Sequence, residues 1–243
     1  SVPATTTTRV PNDCVVRTAS DPAGFYEKQC TVLGISVVGS GAVSDEAIET
    51  AAEHVYEMLA VRPDLSEALA NAPIRVAVIG ASERITDLPD FTDLYALYPG
   101  TDWRGRGRSF PGTSEVPTAA GAEENLLCLE GDRFAGQNLF VRDFARTMLR
   151  FALADVDAAA QRDIEQAFNR AIAEGLWKDT LAETNAEQYW AEISQAYFDV
   201  NGYPEEDDDD AVRTRDHLRR YDPYGYGAAL SVYSDTAWRP PCR

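Results

Sequence analysis

Positive charge is scarce in this chain. Its 243 residues carry 22 Lys and Arg against 40 Asp and Glu, which gives a formal net charge of −18 and a pI near 4.4. A surface of this sign repels phosphate backbones and anionic lipid headgroups, so we expect neither nucleic acid nor a membrane as a partner. Long apolar runs are also missing, since no segment approaches the roughly 18 consecutive apolar residues of a membrane span.

Histidine and cysteine are too few and too widely spaced for the usual zinc clusters. The chain has two histidines, His54 and His217, and four cysteines without a CxxC pair. An even number of spaced cysteines favours two disulfides in an oxidising compartment, and four buried thiols are the alternative. Of the three possible connectivities we favour the one that closes a short loop and ties down the C-terminal tail, Cys14–Cys30 with Cys128–Cys242.

The start of the chain favours the same compartment. It opens on Ser1-Val2-Pro3-Ala4 without an initiator Met, as expected after removal of a signal peptide, so the predicted location is secreted and extracellular. Residues 1–13 show no hydrophobic period and are predicted to form an extended lead-in. A chain of 243 residues, of which 44% are hydrophobic, can bury one sizeable core. We therefore predict a single domain over residues 1–243.

The two halves of this domain differ in pattern. Residues 14–136 are predicted to be rich in strands and loops, and residues 137–243 to be mainly helical, which places the chain in the α+β class. In the first half, the β-branched runs Thr31–Val38 and Ile74–Gly80 predict two buried strands. A helix capped by Ser44 is predicted between them.

The second half begins after a long irregular segment. Pro, Gly, Asp and Arg predominate between Asp87 and Gly136, and ordered loops of this length usually line a site. Helical spacing of apolar residues then predicts three helices, over Asn138–Leu153, Val156–Glu174 and Ala186–Val200.

One helical segment carries a pattern with chemical meaning. The sequence NLFVRDFARTML places Arg142 and Arg146 one helical turn apart, with Asp143 beside the first. This is the spacing of HExxH, in which two His on one helix face bind Zn²⁺ and the Glu acts as general base. Such sites commonly take a third ligand, a Glu, from a later helix, and the later segment YWAEISQAYFD carries Glu192 at its centre.

At these residues the chain resembles the zincin superfamily, and within it secreted metallopeptidases of the gluzincin type. In those proteins a segment like EENLLC precedes HEFAHT, and a YWAE helix follows. The resemblance implies a zincin-like fold, with a small N-terminal sheet and a helix followed by a mainly helical C-terminal half. It is carried by Ala122–Cys128, Gly131–Asn138, Gly175–Trp177, Asn185–Asn201 and Thr214–Pro223.

The chain departs from this family at the metal ligands, because both His positions hold Arg. A guanidinium stays protonated and has no lone pair for a metal, so Arg142 and Arg146 cannot bind zinc as the family does. Two Arg and one Glu carry the same summed charge as Zn²⁺ with two neutral His and one Glu. We therefore expect no metal and no cofactor. Instead, both arginines are predicted to pair with Glu192, and also with Asp143, unless they point into solvent.

Three function classes follow from this pattern. The first is a secreted pseudo-metallopeptidase that has lost its zinc site and keeps the cleft for a glycan, peptide or protein ligand. The alternative is a metal-independent hydrolase, most plausibly a glycoside hydrolase whose cleft carboxylates are Asp143 and Glu192, with Glu123 or Glu124 as a substitute. The third is an interaction protein that uses its acidic surface.

Further residues are candidates for contacting a ligand in the cleft. The patch Asp102–Arg108 is basic and Gly-rich, and its Trp103 and Arg104 suit an anionic or sugar-bearing ligand. Glu124 and Tyr189 complete the predicted binding residues. Four tyrosines near the C-terminus would line a sugar cleft or pack in the core: Tyr221, Tyr224, Tyr226 and Tyr233.

A run of six acids, Glu205–Asp210, is predicted to form a solvated loop. Calcium sites space their ligands around a turn, and a bare acidic run lacks that spacing. The two histidines are expected to be surface residues or satisfied polar residues.

Overall fold

The computed structural model describes residues 14–103, 106–202 and 212–241, and a mixed sheet of six strands lies within them. The order across the sheet is β1-β2-β3-β4-β6-β5. Strands β3, β4 and β6 are parallel, whereas the pairs β1–β2, β2–β3 and β5–β6 are antiparallel. The strands are β1 Arg17–Thr18, β2 Lys28–Val32, β3 Ile35–Gly39, β4 Arg75–Ile79, β5 Ser109–Phe110 and β6 Thr118–Ala122.

Helices follow and flank this sheet, so the chain has the predicted α+β class. They are α1 Asp45–Leu59, α2 Pro63–Asn71, α3 Leu94–Leu97, α4 Glu123–Leu126, α5 Leu139–Met148, α6 Ala154–Val156, α7 Ala158–Ala173, α8 Ala186–Tyr197, α9 Arg215–Tyr221 and α10 Pro223–Tyr233. A π-helical stretch, Leu149–Leu153, joins α5 to α6. The predicted helices are present as α1, α5, α7 and α8, and Ser44 caps α1 by accepting from the amide of Ala47.

Side chains alternate across the central strands and build a core on each face of the sheet. The larger core holds the buried residues of α1, α5, α7 and α8, and the sheet contributes Val37, Val76, Val78 and Ala119 to it. The smaller core lies under the segment between β4 and β6, and the sheet contributes Val38, Ala77, Ile79, Ala120 and Ala122. Helix α5, which carries Arg142, Asp143 and Arg146, therefore packs in the larger core.

The predicted strand Thr31–Val38 is wrong as a single element. Its residues belong to a hairpin, in which the end of β2 turns back into β3. Leu33 and Gly34 both have positive φ, of 49° and 82°, as a two-residue type I′ turn requires. A leucine in the left-handed region is uncommon, which is why the apolar run hid the turn.

A second correction concerns the segment Asp87–Gly136, which is more than a loop. It contains β6, a central strand whose sequence TAAGA is small and weakly β-forming. The small residues fit the neighbouring helix, since a Cβ on Gly121 would lie 2.8 Å from Cδ2 of Phe140 on α5. Close approach of α5 to the sheet thus explains this strand.

The first predicted disulfide is present and joins Cys14 to Cys30 of β2. Cys128 is disulfide-bonded as well, and its predicted partner Cys242 lies outside the described residues. Among the described residues no cysteine is free, so the alternative of four buried thiols is wrong.

Candidate functional site

Helix α5 begins at an asparagine cap and presents the predicted arginine pair. Asn138 Oδ1 accepts from the amide of Val141 at 3.0 Å, which satisfies one of the donors that a helix start leaves open. Most of the helix is buried, and the side chains of Arg142 and Arg146 remain 20% and 17% exposed. The two guanidiniums therefore leave the core together, one turn apart.

Asp143 lies between these guanidiniums and is buried. Its Oδ2 accepts from Arg142 Nη2 at 3.3 Å, and its Oδ1 accepts from Arg146 Nη1 at 3.1 Å. Thr147, one turn later, donates to the Asp143 carbonyl and accepts from the amide of Gly112. The predicted pairing with Asp143 is present, and this part of α5 is fixed to the segment between β5 and β6.

A carboxylate from α8 also meets Arg146, and it is Glu187. Arg146 Nε donates to Glu187 Oε1 at 2.6 Å, and Arg150 donates to both Glu187 oxygens, at 3.0 and 2.8 Å. Glu187 stands in the first turn of α8, whose cap is Asn185. Glu187 was not among the site residues predicted from the sequence. The available signal was Arg150, which extends the arginine spacing by one turn and calls for another acid.

The helices α5 and α8 run antiparallel, and their contacts fix a register. The contacts are Gln195 Nε2 to Asn138 O at 3.0 Å, Trp190 Nε1 to Ala145 O at 2.9 Å, and Arg146 Nε to Glu187 Oε1 at 2.6 Å. The start of α8 thus lies beside the end of α5, and the end of α8 beside the start of α5. Interpolation between these contacts puts Glu192, which is 1% exposed, level with Arg142 and Asp143 along the helix axes. The predicted pairing of the arginines with Glu192 stays a prediction.

His54 of α1 supports the cap of α5 from inside the core. Its Nδ1 lies 2.7 Å from the carbonyl oxygen of Thr50, and its Nε2 lies 2.8 Å from Asn138 Nδ2. These partners assign the proton to Nδ1, because Nε2 faces an amide donor. Burial lowers the pKa of His54 to about 4, so the ring is neutral at pH 7. The expectation of a satisfied polar histidine is confirmed.

The predicted cleft residues do not form one surface. Trp103 is 8% exposed and packs against Tyr98 and Phe110, and Arg104 lies outside the described residues. Tyr189 is fully buried, and its hydroxyl donates to Asp222 at 2.6 Å. Burial and this carboxylate raise the pKa of Tyr189, so the hydroxyl stays a donor.

The glutamates after β6 are bound within the fold. Glu124 receives a bidentate pair from the buried Arg108, at 2.6 and 2.7 Å, and borders a cavity of about 300 Å³. Glu123 accepts from the amides of Ser44 and Ala81, at 2.9 and 3.1 Å. Arg108 was predicted to belong to a basic surface patch, but it is 5% exposed and serves as an internal anchor.

The C-terminal tyrosines are spread over α9 and α10. Tyr233 stacks on Trp190 in the core, and Tyr221 accepts from the amide of Trp177. Tyr224 is 49% exposed under the guanidinium of Arg170. They do not line a single cleft, and the acidic run Glu205–Asp210 lies outside the described residues.

Within the described part of the chain, no group of three or more His, Cys, Asp or Glu side chains is arranged to hold a metal ion. Nor does any helix there have the length and apolar character to cross a membrane. No protein-family model matches the sequence, and a search of curated proteins finds no match. The function must therefore be inferred from the residues of the α5–α8 pair.

Proposed function

We propose that this chain is a secreted, zincin-like protein that has lost its zinc site and acts by binding a ligand. The observation that supports the proposal is the antiparallel register of α5 and α8, from which we infer that Glu192 lies level with Arg142 and Asp143. In a zincin-type site, two ligands one turn apart on one helix meet a third from a later helix. Here Arg142 and Arg146 occupy the first two positions.

Ion pairs supply the link between helices that a metal would supply. Arg146 joins Asp143 of its own helix to Glu187 of α8, and Arg150 donates to both oxygens of the same glutamate. Arg150 also donates to the carbonyl of Gly112 at 2.9 Å. Guanidiniums bind carboxylates through fixed forks, so this network can hold α5, α8 and the segment after β5 together without a metal.

A ligand in the proposed cleft would meet arginine donors where a peptidase presents its metal. The side chains of Arg142, Arg146 and Arg150 are 20%, 17% and 30% exposed. Guanidinium donors favour a ligand rich in acceptors, whether a glycan, a peptide or another protein. Secretion belongs to the same proposal, and the Cys14–Cys30 disulfide is consistent with it.

The geometry favours binding over the glycoside hydrolase hypothesis. A glycosidase needs one carboxyl that protonates the leaving oxygen and a second that attacks or activates water at the sugar. Asp143 and Glu192 are each 1% exposed, and both oxygens of Asp143 accept from guanidiniums. Neither carboxyl is placed at a surface that a sugar ring can reach.

Metal analysis combined with a peptidase assay tests the proposal. Protein purified without chelator is expected to contain no stoichiometric zinc and to leave a peptide library intact, with or without added zinc. Peptide hydrolysis that a chelator abolishes would contradict it. Hydrolysis of a polysaccharide that is lost in Asp143→Asn, but kept in the control Asp163→Asn, would support the glycosidase alternative.

A further inference from the structure

A groove of about 450 Å³ lies between α7 and α10, two helices that the structure describes over their whole length. Ala167 of α7 and Ala228 of α10 lie deepest in it, and each is 4% exposed. Small residues on both helices leave room between them, and the volume lies in the usual range for small-molecule sites. No residue of the α5–α8 ion pairs is part of the lining, so the groove is independent of the proposed function.

One wall of the groove carries an exposed aromatic ring. Tyr224, in the first turn of α10, is 49% exposed. The guanidinium of Arg170 lies over this ring, 3.7 Å from its centre, and Arg170 Nε donates to Glu174 Oε1 at 2.8 Å. Because the guanidinium covers only one face, ring surface remains accessible to a ligand. The cation–π contact and the ion pair hold the ring in place, which lowers the entropy cost of binding.

The opposite wall presents polar groups that the fold leaves unused. Within the described part of the chain, the side chain of Gln166 makes no hydrogen bond, and Arg170 donates to an acceptor through Nε alone. Both residues line the groove and are exposed, and the side chain of Arg170 is 49% accessible. A ligand can therefore reach an amide donor, an amide acceptor and the terminal nitrogens of a guanidinium.

The charges of this lining favour a neutral ligand. Among the described lining residues, Asp163 and Arg170 are charged, and they carry opposite signs. Arg170 is also paired with Glu174, so the groove has no excess of positive charge for an anion. Asp163 is exposed, and solvent screens its single negative charge.

The glycine at position 227 of α10 is not required by packing. A glycine inside a helix destabilises that helix relative to alanine. A Cβ on Gly225 would lie 2.5 Å from the hydroxyl oxygen of Tyr189, so glycine is needed there. A Cβ on Gly227 would meet no atom within 4 Å, and this residue lines the groove. Gly227 therefore keeps the groove open at a cost in helix stability.

We infer that the α7–α10 groove binds the pyranose ring of a neutral saccharide. One face of a pyranose presents C–H groups, which stack on an aromatic ring such as that of Tyr224. The hydroxyl groups at its edge both donate and accept hydrogen bonds, as the free groups of Gln166 and Arg170 require. Gly227 leaves the space for the sugar beside Tyr224.

Saturation-transfer NMR and titration calorimetry of the full chain test the inference. The probes are the methyl glycosides of glucose, galactose, mannose and N-acetylglucosamine. Sorbitol is the control ligand, because it has the hydroxyl groups without a ring face. We expect saturable binding of at least one glycoside, and binding of sorbitol weaker by about tenfold or more. Absence of binding by all four glycosides, or equal binding of sorbitol, would overturn the inference.

Two substitutions on α10 locate the bound ring. Tyr224→Ala removes the stacking surface and is expected to weaken binding about tenfold. Tyr95→Ala is its control, because Tyr95 on α3 is 54% exposed and lies outside the groove lining, so binding should not change. Gly227→Ala is expected to raise the melting temperature, since alanine favours the helix, and to weaken binding severalfold, since its methyl group enters the groove.

Circular dichroism establishes that each variant is folded. If Tyr224→Ala unfolds, Tyr224→Leu takes its place, because it keeps an apolar side chain but loses the ring face. Wild-type affinity in a folded variant at position 224 would show that the saccharide does not stack on this ring. A Gly227→Ala protein with a higher melting temperature and wild-type affinity would show that the saccharide does not occupy the groove.

Discussion

The two ends of the α5–α8 pair are joined by different chemistry. At the start of α5, neutral groups make the contacts, with Asn138 bonded to His54 of α1 and to Gln195 of α8. At the end of α5, charged groups make them, with Arg146 and Arg150 on Glu187. The neutral end is fully buried, whereas the charged end is partly exposed.

This difference indicates which end sets the register and which end is free to change. Buried neutral hydrogen bonds with fixed geometry specify how the helices align, since any shift would leave polar groups unsatisfied. Partly exposed ion pairs contribute less and tolerate rearrangement. Arg142 and Arg146 can therefore be substituted while the alignment of the helices persists.

The largest expected effect comes from removing Asn138, which joins the neutral contacts of the helix pair. Asn138→Ala removes a helix cap and leaves Nε2 of buried His54 without its donor, so we expect a loss of about 3 kcal/mol in the free energy of unfolding. Asn185→Ala is the matched control, because Asn185 caps α8 through the exposed bond to the amide of Gln188. That variant should lose about 1 kcal/mol. Urea denaturation measures both, and equal losses would contradict a special role for Asn138.

Acid should weaken the neutral end of the helix pair, because it contains His54. The folded pKa of His54 is about 4 and its unfolded value is about 6.5, so the unfolded chain binds the extra proton first as pH falls. Its contribution is complete above pH 6.5 and is lost on acidification toward pH 4. Between pH 7 and pH 5 we expect a loss of about 2 kcal/mol. His54→Gln should lack this component, and an identical pH dependence in both proteins would refute the assignment.

Salt should affect the charged end. Glu187→Gln leaves Arg146 and Arg150 without their shared carboxylate, and we expect a loss of about 1 kcal/mol at low ionic strength that shrinks in 1 M NaCl. Glu174→Gln is the control, since its pair with Arg170 on α7 is about half exposed on both sides. That control should change stability by less than about 0.5 kcal/mol. A salt-independent loss in Glu187→Gln would mean that packing, and not charge, joins the helices there.

The sequence predicts the helices of this protein better than its strands. The cap at Ser44 marks α1, and long apolar periods mark α1 and α5, because a helix encodes its own hydrogen bonds locally. Strand β6 was not predicted because its residues are small and weakly β-forming. Their small size makes room for Phe140 of α5, a contact distant in sequence. The β2–β3 hairpin escaped because Leu33 occupies a turn position that glycine or asparagine usually takes.

The candidate site shows the same division between local and distant information. The spacing of Arg142, Asp143 and Arg146 on one helix is local and correct. Which acid of α8 pairs with Arg146 depends on how the two helices align. The residue spacing within either helix carries no information about that alignment. Tyr189 and Trp103 were predicted to contact a ligand from their residue type, but their burial is decided by the surrounding tertiary structure.

The central claim is the proposal that α5 and α8 preserve the geometry of a metal site whose ligands have been replaced. The double variant Arg142→His/Arg146→His tests it most directly, because it restores two imidazoles one turn apart at the level of Glu192. The neutral end should keep the helices aligned while the arginines are absent.

Zinc titration of this variant, followed by calorimetry and by the melting temperature, is the deciding measurement. The account predicts stoichiometric Zn²⁺ binding and a melting temperature that rises with zinc, neither of which the wild type should show. The wild type, which keeps His54 and His217, is the control for zinc binding to other histidines. A folded double variant without zinc affinity would contradict the claim, because it would mean that Glu192 does not face positions 142 and 146.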